Sequence, residues 1–150
     1  MNVIGISSDH GGFDLKTDII LLLNELGHEV NDMGPENSKS VDYPDYGVSV
    51  AQAVISKNVF RGIVICGTGI GMSIVVNRFS GIRGALCSDL YTAKLCREHN
   101  DSNILIMGGR VIGHGLAKEI VKVWLSTPFE GGRHQKRIDK ITHLEKLKKI

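Results

Sequence analysis

A cysteine stands where an apolar run meets a glycine-rich turn. Residues 63–65 are Ile, Val and Ile, the β-branched pattern of a strand buried on both faces of a parallel sheet. Cys66 follows directly, and the turn after it consists of Gly67, Thr68, Gly69, Ile70 and Gly71. A strand, a glycine turn and a helix in that order present backbone N–H groups to an anion. A thiol beside such donors can act as a base or a nucleophile, because their positive field favours the thiolate.

The glycine turn has an obvious alternative function, which is dinucleotide binding. The fingerprint of such sites is G-x-G-x-x-G, but the position of its third glycine is here Met72, and Gly71 falls one residue early. Asp89 lies near the distance expected of a ribose-binding acid, yet it opens a different helix. The sequence also lacks a phosphate loop of the G-x-x-x-x-G-K-[ST] type. A nucleotide site is therefore the weaker interpretation, since glycine-rich turns alone are weak signals.

Two other predicted strands end in polar, glycine-rich turns. The first strand is expected over residues 3–7 and the fifth over residues 103–107. The turns that follow contain Asp9, His10, Gly11 and Gly12 after the first strand, and Gly108, Gly109 and Arg110 after the fifth. Because the carboxyl ends of parallel strands share one edge of a sheet, both turns should lie beside Cys66. For Asp9 a structural role is an equal alternative, since such carboxylates commonly cap helices.

Two arginines near the C-terminus form a candidate phosphate site. Arg133 and Arg137 are four residues apart in the first turns of a predicted helix, so both guanidinium groups point the same way. Paired guanidinium groups at a helix N-terminus suit a phosphate dianion, which they grip with paired N–H bonds. The alternative is a solvated basic face that also includes Lys136 and Lys140.

Tyr43 is a further candidate for the site. It precedes Pro44, so it is expected to be extended, and its ring could then reach towards a cleft. Packing of the ring within its own loop is at least as good an interpretation.

Strands and helices alternate along the whole chain. This order predicts a single three-layer α/β/α domain over residues 1–150, with a five-stranded parallel sheet and an extra C-terminal helix. The strands are expected near residues 3–7, 29–33, 63–65, 82–87 and 103–107. The helices are expected near residues 13–26, 45–56, 72–79, 90–98, 114–126 and 133–149.

The composition is that of an ordinary globular protein and excludes several classes of function. With 42% hydrophobic and 23% charged residues, a chain of 150 residues can bury one sizeable core. A net charge of +2 is too small to indicate nucleic-acid binding, and no apolar run is long enough to span a bilayer. The three cysteines show no CxxC spacing, which indicates reduced thiols in a cytoplasm rather than a disulfide scaffold or a zinc site. Cys87 and Cys96 are expected to fill apolar space.

Five segments, taken in order, are specific enough to indicate a family. They are Ser8-Asp9-His10-Gly11-Gly12, residues 41–45, residues 62–69, residues 97–100, and Gly131-Gly132-Arg133-His134 with Arg137. Together they resemble the B-type ribose-5-phosphate isomerases, from the first strand to the final helix. The resemblance implies a Rossmann-like fold, a homodimer with active sites at the subunit interface, and no metal or organic cofactor. It also implies interconversion of ribose 5-phosphate and ribulose 5-phosphate in the pentose phosphate pathway.

The resemblance implies roles for individual residues. Cys66 matches the general base that removes the proton from C2 of the open-chain sugar. The backbone of residues 67–71 and the Thr68 hydroxyl match the anion hole for the enediolate. His99 matches the acid–base group that opens the furanose ring, with Asp9 nearby. Further contacts with the substrate are implied for His10, Asn100 and Arg110, and a phosphate clamp is implied for Arg133 and Arg137.

Other readings of the same residues remain open. Related enzymes isomerise galactose 6-phosphate or allose 6-phosphate, although the lactose-type members tend to depart from the His-Asn and Gly-Gly-Arg segments that are intact here. Some members use a carboxylate in place of the cysteine, but Ile70 and its neighbours offer no acid. A non-catalytic sugar-phosphate sensor would need the arginines but not Cys66 or His99. A thiol redox protein would need a second cysteine paired with Cys66.

Overall fold

The structure is a computed structural model that describes residues 2–147. Its five strands are β1 (Val3–Ser8), β2 (Glu29–Asp32), β3 (Arg61–Cys66), β4 (Gly84–Leu86) and β5 (Ile104–Gly108). Its six helices are α1 (Phe13–Glu25), α2 (Tyr43–Ile55), α3 (Ile70–Val76), α4 (Leu90–Glu98), α5 (His114–Ser126) and α6 (Arg133–Leu147). All the strands are parallel, in the order β2-β1-β3-β5-β4. The predicted fold class is confirmed, and the strand order is new information.

The core has two halves, one on each face of the sheet. Successive residues of β3 point to opposite faces, so Ile63 and Ile65 join one half while Val64 and Cys66 join the other. The first half packs against α1, α4 and α5, and its largest side chain is the fully buried Trp124. The second half packs against α2 and α3. Cys87 and Cys96 lie in the first half, so the expectation that they fill apolar space is confirmed.

Several element boundaries differ from those predicted. Helix α2 begins at Tyr43, so the expectation that Tyr43 is extended is wrong. Pro44 does not prevent this, because the first turn of a helix has no use for the N–H that proline lacks. Helix α3 begins at Ile70 and ends at Val76, and a short 3-10 turn at His10–Gly12 was not predicted. The final residues predicted for the last helix, Lys148 and Lys149, lie outside the described residues.

None of the helices between residues 2 and 147 combines the length and the apolar character that crossing a membrane requires.

Candidate active site

Three glycine-rich turns meet at the carboxyl edge of the sheet, as the sequence predicts. The backbone N–H of Asp9 donates to Ile65 O at 3.1 Å, and those of Gly109 and Arg110 donate to Cys66 O and Gly67 O at 2.8 and 2.9 Å. The approach is too close for a side chain at several glycines of these turns. A Cβ on Gly108 would lie 2.6 Å from Thr68 O, and one on Gly109 would lie 2.7 Å from Gly11 O. Backbone contacts therefore hold the three turns in one rigid cluster.

The thiol of Cys66 lies at the centre of this cluster and is almost buried, with 4% of the residue exposed. Its Sγ accepts a hydrogen bond of 3.1 Å from the backbone N–H of Gly69. Gly69 has a φ of +80°, a conformation that favours glycine, and it precedes the first residue of α3. The turn therefore directs a backbone donor at the sulfur.

Two backbone N–H groups of the turn are already engaged by side chains of the same segment. Thr68 Oγ1 accepts the N–H of Ile70 at 3.2 Å, and Gly69 N–H is directed at the sulfur. The N–H of Gly71 lies in the first turn of α3, where no carbonyl four residues earlier in the helix is available to it. The predicted anion hole therefore has fewer available N–H groups than the whole segment from Gly67 to Gly71 contains.

Four further candidates surround the thiol. Asp9 is 8% exposed and its Oδ1 accepts the N–H of Gly12 at 3.1 Å, so the alternative of a capping role is confirmed for the 3-10 turn at His10–Gly12. His10 Nδ1 accepts the N–H of Val41 at 3.3 Å, which ties the loop before α2 to this edge. Arg110 is exposed, and its Cδ and Nη1 lie 3.5 Å from where a Cβ of Gly67 would be. The Tyr43 ring lies against Gly71, because its Cζ is 2.6 Å from where a Cβ of Gly71 would be. Tyr43 therefore lies beside the glycine turn.

The other candidates lie at the opposite edge of the sheet. Helix α4 runs antiparallel to the strands. His99 directly follows α4 and precedes β5 by a few residues. Asn103 O accepts the N–H of Gly62 at 3.0 Å, which places this segment at the amino end of β3. The length of β5 alone separates the two edges by roughly 13 Å. One chain therefore does not bring His99 together with Cys66 or with Asp9.

His99 forms a second cluster with the start of α6. Its ring stacks on the ring of His134, with centroids 4.1 Å apart and planes 10° from parallel. The N–H of Glu130 donates to Glu98 O at 3.1 Å, and Glu130 Oε2 lies 3.2 Å from His134 Nε2. Arg133 and Arg137 are exposed on the same helix, and Asn100 is exposed beside His99. The structure thus brings together the candidates His99, Asn100, Arg133 and Arg137.

His134 lies at the centre of this cluster but was not among the site residues predicted from the sequence. It is 3% exposed, and its Nε2 lies 3.2 Å from Glu130 Oε2. That contact lacks hydrogen-bond geometry, so within residues 2–147 this nitrogen has no hydrogen-bond partner. Burial lowers the pKa of His134, and the neighbouring His99 and Arg133 lower it further, whereas Glu130 opposes them. The only available signal was its place in the Gly-Gly-Arg-His segment between two candidate arginines.

The cluster contains donor atoms that metals use, but their arrangement does not suit an ion. Ligand atoms of His99, Glu130 and His134 lie within 4.8 Å of one another. The lone pair of an imidazole nitrogen lies in the plane of its ring, and the planes of these two rings are parallel and stacked. The two lone pairs therefore cannot converge on one ion unless a ring turns.

Comparison with known proteins places the chain in a family. The family model described as Ribose/Galactose Isomerase matches residues 4–141. Ribose-5-phosphate isomerase B of Escherichia coli (strain K12) is 50% identical over 145 residues, which are 97% of this chain and 97% of that protein. The solved ribose-5-phosphate isomerase B of Clostridium thermocellum has a TM-score of 0.95 at 53% identity and covers 96% of this chain and 97% of its own.

A third similar protein was solved with a sugar phosphate. This is ribose-5-phosphate isomerase B of Mycoplasma genitalium with bound ribulose-5-phosphate, which has a TM-score of 0.91 at 40% identity and covers 96% of both chains. The fold and the thiol-centred turn cluster define an α/β isomerase of phosphorylated sugars. The chain belongs to the ribose/galactose isomerase family, and the resemblance seen in its sequence segments is confirmed.

Proposed function

We propose that the chain is an aldose–ketose isomerase that interconverts D-ribose 5-phosphate and D-ribulose 5-phosphate. The observation that carries the proposal is the buried Cys66 sulfur, which accepts the N–H of Gly69 at the carboxyl end of a central strand. Proton transfer between adjacent carbons needs a base over one face of the sugar and donors for the oxyanion that develops. Family membership then selects the sugar phosphate as the substrate.

In the proposed mechanism the Cys66 thiolate takes the proton from C2 of the open-chain aldose. The electrons of that C–H bond form the C1–C2 double bond, and negative charge collects on O1. The free N–H groups of the turn, with the Thr68 hydroxyl, stabilise this enediolate. The proton then returns to C1, and the O2 proton passes to O1. Each donor of such an anion hole contributes about a hundredfold or more in rate.

We propose that the working enzyme is a homodimer with shared active sites. The support is the separation between the two clusters, because His99 and Cys66 lie at opposite edges of one sheet. A second copy that places its His99 cluster against the Cys66 cluster completes the site. By two-fold symmetry the same contact completes the other site. Arg133 and Arg137 then clamp the phosphate, and His99 moves the proton that opens the furanose ring.

The remaining assignments follow from this arrangement. Asp9, His10 and Arg110 contact the substrate from the thiol side, and Tyr43 lines the same edge. Asn100 contacts it from the His99 side. The reaction belongs to the pentose phosphate pathway, and we place the protein in the cytoplasm because its three cysteines show no disulfide spacing.

The activity is tested by following conversion of ribose 5-phosphate to ribulose 5-phosphate without added metal. Allose 6-phosphate and galactose 6-phosphate serve as comparison substrates. We expect the five-carbon substrate to have the highest kcat/KM. A higher kcat/KM for either six-carbon sugar would contradict the substrate assignment, and no turnover of any of them would contradict the activity.

The shared site is tested by mixing two inactive variants. Cys66→Ala and His99→Ala each lack one half of every site, so both homodimers should be inactive. After subunit exchange at equal amounts, about half of the dimers are hybrids, and each hybrid has one intact site. Activity should therefore return to about a quarter of the wild-type value. A mixture of confirmed hybrids that stays inactive would show that both residues act within one chain.

A further inference from the structure

We propose that His134 is a positioning residue that acts through His99 by holding its imidazole in the orientation used for opening the furanose ring. The inference rests on the proposed function, because it deepens the role given to His99. It assigns His134 no contact with the reacting atoms. The prediction concerns the ring-opening step alone and leaves the proton transfer at C2 to Cys66.

The stack is the contact that orients the His99 ring. The recorded contact of the His99 ring is face to face with the ring of His134, so the orientation of its plane is set by the stack. The residue is only half-buried and stands directly after the last residue of α4. The ring of His134, 4.1 Å away and nearly parallel, covers one face of it. Such a contact restricts rotation of the His99 ring and leaves its nitrogens free for the substrate.

His134 is itself held firmly enough to serve as a support. It is 3% exposed, and its backbone N–H donates to Gly131 O at 3.0 Å. Glu130 links the end of α4 to His134, since its N–H donates to Glu98 O and its Oε2 lies at an ion-pair distance of 3.2 Å from His134 Nε2, without the geometry of a hydrogen bond. The segment from Glu130 to Arg137 thus joins the support of His99 to the phosphate clamp. A phosphate gripped by the arginines is thereby placed in a fixed relation to the His99 ring.

Charged groups of two helices face the stack. Glu130 and Arg133, with Arg137 beyond them, act on the stack from the side of α6, and Glu98 with its partner Lys94 lies on α4. Burial lowers the pKa of His134, and the nearby His99 and Arg133 lower it further, so protonation of this ring is disfavoured. A neutral aromatic face is a favourable neighbour for an imidazolium. The stack therefore presents to His99 the face of a ring whose own protonation is disfavoured.

The test separates ring opening from proton transfer at carbon. Ribose 5-phosphate is mainly a furanose and must be opened, whereas ribulose 5-phosphate has no furanose form because its C5 hydroxyl is phosphorylated. Exchange of a C1 proton of ribulose 5-phosphate with D2O, followed by NMR, reports the Cys66 step without ring opening. Turnover of ribose 5-phosphate reports both steps. The variants are His134→Ala, which removes the stack, and His134→Phe, which keeps an aromatic ring. His143→Ala changes an exposed histidine of the same helix and is the control.

We expect His134→Ala to lower kcat for ribose 5-phosphate by roughly tenfold to a hundredfold, with KM and the exchange rate changed by about twofold or less. His134→Phe should restore kcat to within about threefold of wild type, and His143→Ala should match wild type. Equal losses in turnover and exchange would overturn the proposal, because they would indicate general damage to the site. Undiminished turnover in His134→Ala would overturn it as well. Absence of exchange in the wild type would instead reject the proposed function on which it rests.

Discussion

The two edges of the sheet hold their functional residues by different means. At the carboxyl edge, backbone hydrogen bonds and closely packed glycines join the turns after β1, β3 and β5 around Cys66. At the amino edge, the His99 cluster depends on side-chain packing between the end of α4 and the start of α6. The carboxyl edge is thus a rigid cluster within one chain, to which we assign the base and the anion hole. The amino edge is a cluster at the protein surface, which in the proposed homodimer meets the carboxyl edge of the second copy.

In the proposed mechanism the two edges carry different steps. Proton transfer at carbon needs a closely positioned base, and we assign it to the rigid turn cluster. We assign ring opening and phosphate binding to the long or rotatable side chains near the ends of the helices. The following predictions test that division, beginning with the largest effect.

Cys66→Ala should abolish the chemistry and spare binding. Loss of the base should lower kcat by about a hundredfold to ten-thousandfold, since that is the usual contribution of general base catalysis. Affinity for a non-reacting sugar phosphate, measured by calorimetry, should stay within about threefold because the arginines are untouched. Turnover at the wild-type rate would remove Cys66 from the mechanism and leave the turn cluster with a structural role only.

Gly109→Ala should break the carboxyl edge by overpacking. The new Cβ would lie 2.7 Å from Gly11 O, and backbone there cannot easily move. We expect the free energy of unfolding to fall by about 1–3 kcal/mol in urea titrations. Gly115→Ala is the matched control, because nothing lies within 4 Å of its Cβ and it sits within α5. It should be neutral or stabilising by up to about 1 kcal/mol, and equal losses in both variants would contradict the close-packed cluster.

Arg137→Ala should weaken binding at the amino edge more than it slows chemistry. Loss of one guanidinium from a phosphate clamp should raise KM by about tenfold, since charge-assisted hydrogen bonds contribute about 1.5–3 kcal/mol. The change in kcat should be smaller. Lys140→Ala, which removes an exposed charge from the same helix, controls for the lost net charge. An effect of the lysine variant as large as that of the arginine variant would favour the solvated basic face.

Acid should destabilise the His99 cluster through His134. Its folded-state pKa is lowered below the ordinary 6.5, so folding favours the neutral ring. The contribution of neutral His134 to the free energy of unfolding is therefore complete above the unfolded-state pKa. It declines as pH falls below that pKa, because the unfolded chain binds the proton more readily. His134→Phe should show a shallower decline in Tm between pH 7 and pH 5. An identical decline in wild type and variant would assign the acid sensitivity to other groups.

Much of the carboxyl edge was predictable because its signals are local. The apolar run before Cys66 and the glycines after it predict a strand and a turn wherever they occur, and parallel strands must end at one edge. The spans of α4 and α5 were predicted correctly for the same reason, since helical periodicity and caps are local features. The start of α2 was predicted wrongly because proline in a first helical turn and proline after an extended residue are hard to distinguish.

The sequence by itself determined the fold class, the three converging turns and the family, because each depends on short-range patterns or on segments in a fixed order. Only the tertiary structure decided that His99 stacks on His134 and lies a strand's length from Cys66, since helix-to-helix packing joins residues that are distant in the chain. It also decided which N–H groups of the turn are already used by Cys66 and Thr68. Those facts depend on distances between atoms, and residue types alone do not fix such distances.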